Sequence, residues 1–181
     1  MNTLDRIVVK PHEFTQALWG SLFITLCSLV WIPTLPIAIT LQSMSVFVLA
    51  LVQPPRVCLA SILVYLLEAT LGLPVLCGYS NSFWIIGTSA GYLVAFPLAG
   101  YVTSLLAVRM GSLKGELLGI FSGQALIYAL GFMWLAKFIG FSQAFLWGVV
   151  FFIPSALLQS VLAIAAARLI KRQNSFLLNI L

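Results

Sequence analysis

Charged residues are scarce in this sequence: Lys, Arg, Asp and Glu make up 7% of its 181 residues, whereas 62% are hydrophobic. Soluble domains carry about 25% charged residues because their surface faces water. The mean hydropathy of +1.12 therefore excludes an ordinary soluble globular domain and predicts a chain surrounded by membrane lipid. The net charge of +5 comes from basic residues scattered between apolar blocks. We interpret these basic residues as markers of how the chain crosses the membrane, and not as a surface that binds nucleic acid.

The residue types that catalysis and metal binding require are also scarce. His12 is the only histidine, and Cys27, Cys58 and Cys77 stand far apart without a CxxC pair. This pattern argues against a metal site, a disulfide framework and a histidine-assisted serine hydrolase. The sequence has no glycine-rich phosphate loop with its lysine, so ATP-driven work would need another chain. We therefore expect a protein that is not an enzyme and holds no metal or cofactor.

Long intervals without charge predict six membrane-spanning helices, divided by prolines and glycines. The predicted helices cover about residues 14–32, 40–52, 57–71, 88–108, 113–137 and 141–170, with kinks at Pro97 and Pro154. An extended link joins the first two helices, and an ordered loop follows the third. The predicted fold class is all-α, a multi-pass protein of the cell membrane. A cytoplasmic N-terminal segment over 1–13 and a cytoplasmic tail over 173–181 flank a membrane domain over 14–172.

The positions of the basic residues support an even number of spans. Cytoplasmic loops carry an excess of Lys and Arg. With six spans, eight of the nine basic residues fall on one side of the membrane, namely Arg6, Lys10, Arg56, Arg109, Lys114, Arg168, Lys171 and Arg172. Lys137 alone falls on the other side. Both ends of the chain are therefore predicted to be cytoplasmic, and the loops after helices one, three and five to face outward.

Uncharged polar residues concentrate in the first two outward loops, which predicts a ligand pocket at the outer mouth. They are Thr34, Thr40, Gln42 and Ser43 in one loop and Tyr79, Ser80, Asn81, Ser82, Thr88 and Ser89 in the other. Glu68 has two interpretations, as a pocket or gate residue or as a carboxylate hydrated near the outer interface. Trp84 fits either a lid over a ligand or an interfacial anchor.

Small residues in the first predicted helix form a face that allows close helix approach. Ala17, Gly20 and Ser21 could receive a partner helix or pack inside this chain. Gly111, Gly115 and Gly119 repeat the same spacing around the start of the fifth helix.

Three segments of the chain, in order and spacing, resemble the BioY family, the biotin-specific substrate-binding (S) components of energy-coupling-factor (ECF) transporters. PIAITLQ (Pro36 to Gln42) is similar to the family's PVPITLQ, YLLEATLGLPVLCG (Tyr65 to Gly78) to YLLEGxxGLPVFAG, and GTSAGYLVAF (Gly87 to Phe96) to GPTGGYLLGF. A fourth segment, FFIPSALLQ (Phe151 to Gln159), is similar to PFLPGDLLK. It has Ala156 in place of the family Asp and Gln159 in place of the family Lys. The resemblance covers about residues 14–172.

The resemblance implies the S-component fold and biotin uptake, with an outward-facing pocket closed by the loops after helices one and three. It implies ligand contacts from Gln42, Asn81, Tyr92 and, at the Lys position, Gln159. The further pocket residues expected are Thr40, Glu68, Tyr79, Trp84, Gly91 and Ala156. Exchange of a cationic donor for Gln159 would weaken carboxylate binding about tenfold unless another donor compensates.

The resemblance also implies partners, since ATP-driven uptake requires a transmembrane coupling protein and two ATPase subunits. The face formed by Ala17, Gly20 and Ser21 would be the docking surface for the coupling protein. Solitary operation, as a homo-oligomer, is the alternative. Two other functions are weighed on the sequence: an S component for a different vitamin or a biotin precursor, and a membrane scaffold that does not transport.

Overall fold

The computed structural model describes residues 11–78 and 82–178, and the described chain is predominantly helical. The helices are α1 (Pro11–Ser28), α2 (Gln42–Val52), α3 (Pro55–Thr70), α4 (Ala90–Met110), α5 (Leu113–Ile139), α6 (Phe141–Gly148) and α7 (Ile153–Leu178). Two short strands, β1 (Trp31–Ile32) and β2 (Ile39–Thr40), pair antiparallel within the link between α1 and α2. The predicted all-α class is confirmed.

The first five predicted helices agree with the structure to within a few residues, but the sixth is interrupted. Predicted as one helix over 141–170, it consists of α6, a 3₁₀ turn over Val150–Phe152, and α7. Pro154 is the second residue of α7. At this position a helix does not use the backbone N–H as a donor, so the N–H that proline lacks costs no helical hydrogen bond. The interruption therefore lies just before Pro154 instead of being a kink around it. Pro97, by contrast, lies inside α4, which continues through it.

Three helical stretches within the described residues are long and apolar enough to cross a membrane: Ala90–Met110, Leu113–Ile139 and Phe141–Gln173. This finding identifies a membrane protein. The second helix, α2, has only 11 residues and would extend about 16 Å, short of a hydrocarbon core of about 30 Å. Its residues from Val46 to Leu51 are all buried, so α2 is an interior helix. The count of six spans stays a prediction.

The small-residue face of α1 packs against α3 inside this chain. Ala17 is 2% exposed and Ser21 is 1% exposed. A Cβ atom on Gly20 would lie 2.3 Å from the hydroxyl oxygen of Ser61 on α3. In this structure the face is therefore packed inside the chain, which favours the second of its two interpretations over an open docking surface.

Glycines of α5 allow an equally close approach to α4. A Cβ atom at Gly119 would lie 2.7 Å from the carbonyl oxygen of Thr103. The Thr103 hydroxyl donates a hydrogen bond of 2.8 Å to the carbonyl of Gly119. The spacing seen in the sequence thus reflects packing within the chain.

One ion-pair cluster joins α5 to α7. Glu116, in the first turn of α5, lies 3.2 Å from Arg168 and 3.0 Å from Lys171. The carboxylate side chain is only 11% exposed, whereas the two cations are about half exposed. These contacts place the start of α5 and the basic part of α7 at the same end of the helical bundle.

Candidate ligand-binding site

A cavity of about 440 Å³ lies where the β-hairpin, the loop after α3 and helices α2, α4, α5 and α7 meet. Its apolar wall includes Trp31, Ile37, Leu76, Phe96, Ile127 and Phe152. Its polar side chains are Thr40, Gln42, Ser43, Ser89, Tyr92, Gln124, Tyr128, Ser155 and Gln159. The sequence placed a pocket at the first two outward loops, and those loops do supply part of this wall.

No charged side chain of the described residues lines the cavity, and those residues contain no cluster of three potential metal ligands. An ionised ligand entering such a site loses hydration without gaining an opposite charge, which is costly in a low-dielectric environment. Any charge on the ligand must therefore be met by neutral hydrogen-bond donors.

Gln42, the first residue of α2, lies in a chain of hydrogen bonds that fixes its amide. Its Nε2 donates to the hydroxyl of Tyr65, and its Oε1 accepts from Thr40 at 2.9 Å. The Tyr65 hydroxyl donates in turn to the carbonyl of Val75 at 3.3 Å. Since Tyr65 is completely buried, this network ties the N-terminus of α2 to α3 and to the loop that follows it.

Gln159 on α7 also binds the N-terminus of α2, but through its side-chain carbonyl. Its Oε1 accepts hydrogen bonds from the hydroxyl of Ser43 at 2.7 Å and from the backbone N–H of Met44 at 3.2 Å. The first N–H groups of a helix lack partners within the helix, so Gln159 caps α2 from another helix. A lysine at this position could not accept either bond.

Tyr92 on α4 is held in a slot formed by two glycines. A Cβ atom on Gly131 would lie 2.3 Å from its ring, and one on Gly148 would lie 2.4 Å from its hydroxyl oxygen. The hydroxyl donates to the carbonyl of Gly148 at 2.9 Å, and the ring stacks on Phe152 with centroids 6.5 Å apart. Tyr92 therefore forms a fixed wall of the cavity, and its hydroxyl hydrogen is already used.

Trp84 lies in the loop after α3 and is 5% exposed. Its indole N–H donates to the hydroxyl of Thr70 at 3.1 Å, and the side chain lines the cavity. Cys77 lines the same part of the wall with a φ of 54°, a left-handed conformation that is uncommon outside glycine. This loop is thus closely fitted to the cavity.

The other predicted site residues divide into three groups. Thr40 and Ala156 line the cavity with Gln42, Tyr92, Trp84 and Gln159. Glu68 and Gly91 do not line it: Glu68 accepts a hydrogen bond of 2.9 Å from Ser21 on α1, and Gly91 packs against Trp134. Tyr79 and Asn81 lie outside the described residues. Glu68 is therefore accounted for by a bond between α1 and α3.

Two cavity residues on α5, Gln124 and Tyr128, were not identified from the sequence. The Tyr128 hydroxyl is buried and has no well-formed hydrogen bond to a described residue, although Gln124 lies beside it. Residues four apart share one face of a helix. A glutamine and a tyrosine at this spacing within a charge-free stretch of an apolar helix are the signal that could have indicated them.

Comparisons with known proteins agree with the resemblance seen in the sequence. The BioY family profile matches residues 1–176. A probable biotin transporter BioY of Pyrococcus horikoshii is 38% identical over 136 residues, covering 74% of this chain and 81% of that protein. A probable biotin transporter BioY of Rickettsia prowazekii is 31% identical over 150 residues, covering 81% and 77%.

The fold is also similar to a solved structure. The S-component for biotin from an ECF-type ABC transporter has a TM-score of 0.78 to this chain at 23% identity, covering 94% of this chain and 95% of that one. This likeness confirms the predicted S-component fold.

Proposed function

Since this chain belongs to the BioY family, we propose that it takes up biotin across a cell membrane as the substrate-binding subunit of an ATP-driven ECF-type transporter. The family match over nearly the whole chain is the observation that carries the proposal, and the names of the relatives agree with it. The family consists of transporter subunits, so the chain is not an enzyme.

The size and chemistry of the cavity support a ligand of this kind. Small-molecule sites enclose roughly 300–1,000 Å³ and combine apolar walls with a few polar groups, and this cavity measures about 440 Å³. Its aromatic and aliphatic side chains suit the fused rings of biotin. The amides of Gln42, Gln124 and Gln159 suit its ureido group and carboxylate.

We also propose the topology and the partners. The ends of the helical domain are cytoplasmic and the cavity opens outward, in a cell membrane that the chain crosses six times. The short α2 makes its crossing inside the bundle, surrounded by the other helices, and not in contact with lipid. The contact of Glu116 with Arg168 and Lys171 supports an arrangement in which basic residues gather at the inner end. A transmembrane coupling protein and two ATPases supply the energy. Because Ala17 and Ser21 are buried in this structure, the coupling protein would meet another face.

A second candidate function is uptake of a related ligand that carries less negative charge. Its support is the absence of charge from the described cavity wall, with Ala156 and Gln159 where the resemblance places Asp and Lys. Competition between biotin and biotin amide for the purified protein distinguishes the two. Tighter binding of the amide favours the second function.

The test is uptake of radiolabelled biotin by cells that lack their own biotin transporter. Cells that express this chain with its coupling protein and ATPases should accumulate biotin above the empty-vector level, and removal of cellular ATP should abolish the accumulation. Equal uptake with and without the chain would contradict the proposal. Uptake by the chain without the coupling subunits would favour solitary operation.

A further inference from the structure

Most polar side chains of the cavity already have partners within the protein, which limits what can bind a ligand. The hydroxyls of Thr40, Tyr92 and Ser43 donate to Gln42, Gly148 and Gln159 respectively. The Ser155 hydroxyl donates to the backbone carbonyl of Phe152 at 3.0 Å, and the Trp84 indole donates to Thr70. These groups shape the cavity, but their donors are used.

One hydroxyl that lines the cavity from α5 has no hydrogen-bond partner among the described residues. Two buried side-chain hydroxyls of the described residues lack a partner, those of Thr25 and Tyr128, and Tyr128 is the one that lines the cavity. Gln124, one turn earlier, also lines the cavity, and its side chain lies beside the Tyr128 hydroxyl. An amide and an unpartnered phenol hydroxyl therefore stand side by side on one helix face.

A buried hydroxyl without a partner destabilises a protein, because its hydration is lost and nothing replaces it. The same group becomes favourable when a bound ligand supplies an acceptor. Tyrosine suits this role, since its ring forms apolar wall while its hydroxyl donates one hydrogen bond. Gln124 adds one acceptor and two donors next to it.

We propose that Gln124 and Tyr128 form a ligand-binding pair on α5 that hydrogen-bonds the oxygen atoms of the substrate, as neutral donors in a cavity without charged side chains. The inference rests on the proposed function, with biotin as substrate. The pair supplies a hydrogen-bond donor that compensates for Gln159, which stands where the family has a lysine. The Tyr128 hydroxyl donates to a ureido or carboxylate oxygen, and the Gln124 amide binds the same end of the ligand.

The test is equilibrium binding of biotin to purified wild type, Tyr128→Phe and Gln124→Met. Each variant should weaken binding about tenfold, the loss expected for one buried hydrogen bond. Tyr101→Phe is the matched control, because Tyr101 lies on α4 away from the cavity wall and should leave the Kd within about twofold of wild type. If the loss for Tyr128→Phe disappears with biotin amide, the bond is to the carboxylate. If it persists, the bond is to the ureido oxygen.

Melting temperature of the empty protein separates a binding role from a structural one. Tyr128→Phe removes an unpaired buried hydroxyl, so the empty variant should melt at the wild-type temperature or about 2–4 °C above it. If both α5 variants bind biotin as tightly as wild type, the inference is wrong and the proposed function stands. The same holds if a variant loses stability as well as affinity. Absence of biotin binding by wild type contradicts the proposed function first and the inference with it.

Discussion

The side-chain carbonyl of Gln159 accepts a hydrogen bond of 2.7 Å from the hydroxyl of Ser43. Through this bond and the one from Met44, α7 caps the first turn of α2 beside the cavity. The resemblance places a lysine at this position to meet a carboxylate. In this chain the residue instead stabilises a helix N-terminus and leaves its amide N–H groups available to a ligand.

Substitution of Gln159 should change both helix capping and ligand preference. Gln159→Lys removes the acceptor for Ser43 and Met44 and adds a cation, so the empty protein should melt at a lower temperature. The Kd of biotin amide divided by that of biotin should rise about tenfold. Gln159→Glu keeps the acceptor, which a helix N-terminus favours, but repels the biotin carboxylate and should lower this ratio. An unchanged ratio in both variants would mean that Gln159 does not approach the carboxylate.

The glycine slot around Tyr92 should tolerate no added methyl group. Gly131→Ala would place a Cβ 2.3 Å from the Tyr92 ring, so the ring must move into the cavity. We expect a loss of about 1–3 kcal/mol in stability and weaker biotin binding. Thermal unfolding and isothermal titration calorimetry measure the two effects.

Its control is the double substitution with Tyr92→Ala, which removes the clashing ring. Because the ring is gone, the added methyl group should have almost no further effect on stability, so the two changes should be strongly non-additive. Additive losses would show that Gly131 acts independently of Tyr92.

Ala17→Trp should impair folding of the protein rather than its coupling to a partner. Ala17 is 2% exposed, whereas the neighbouring Leu18 is 43% exposed. An indole at position 17 overfills the α1–α3 contact, and one at position 18 faces outward. We expect Ala17→Trp to lower the melting temperature and the biotin-binding yield, and Leu18→Trp to leave both near wild type. If Ala17→Trp is instead stable and binds biotin but fails in energised uptake, the face formed by Ala17, Gly20 and Ser21 is the docking surface for the coupling protein.

The proposed topology predicts opposite accessibility at the two ends of α5. Ser112 and Ser142 are both exposed and flank α5 (Leu113–Ile139). In a background without the three native cysteines, an impermeant thiol reagent should label Ser142→Cys in intact cells. It should label Ser112→Cys only after the membrane is opened. The reverse pattern would invert the proposed orientation.

The sequence was sufficient to predict the helices because lipid requires long apolar segments with satisfied backbones. Proline and glycine positions located most helix ends to within a few residues. The interruption before Pro154 was not predicted, since a proline can bend a helix or begin a new one and the local sequence does not distinguish these.

The site was predicted in part. Residues near recognisable loop segments, such as Gln42 and Trp84, line the cavity as expected. Gln124 and Tyr128 were missed because nothing in the sequence shows which face of α5 meets the cavity. The role of Gln159 as a cap on α2 depends on a contact between residues more than a hundred positions apart, which a single sequence does not reveal.

The decisive experiment on biotin binding is an equilibrium measurement on purified protein in lipid nanodiscs, with wild type beside Ala156→Trp and Leu158→Trp. Ala156 lines the cavity, whereas Leu158 is 62% exposed on the same helix. We expect wild type and Leu158→Trp to bind biotin with a Kd in the nanomolar to micromolar range, and Ala156→Trp, which fills the cavity, not to bind. Absence of binding by wild type at millimolar biotin, or undiminished binding by Ala156→Trp, would contradict this expectation.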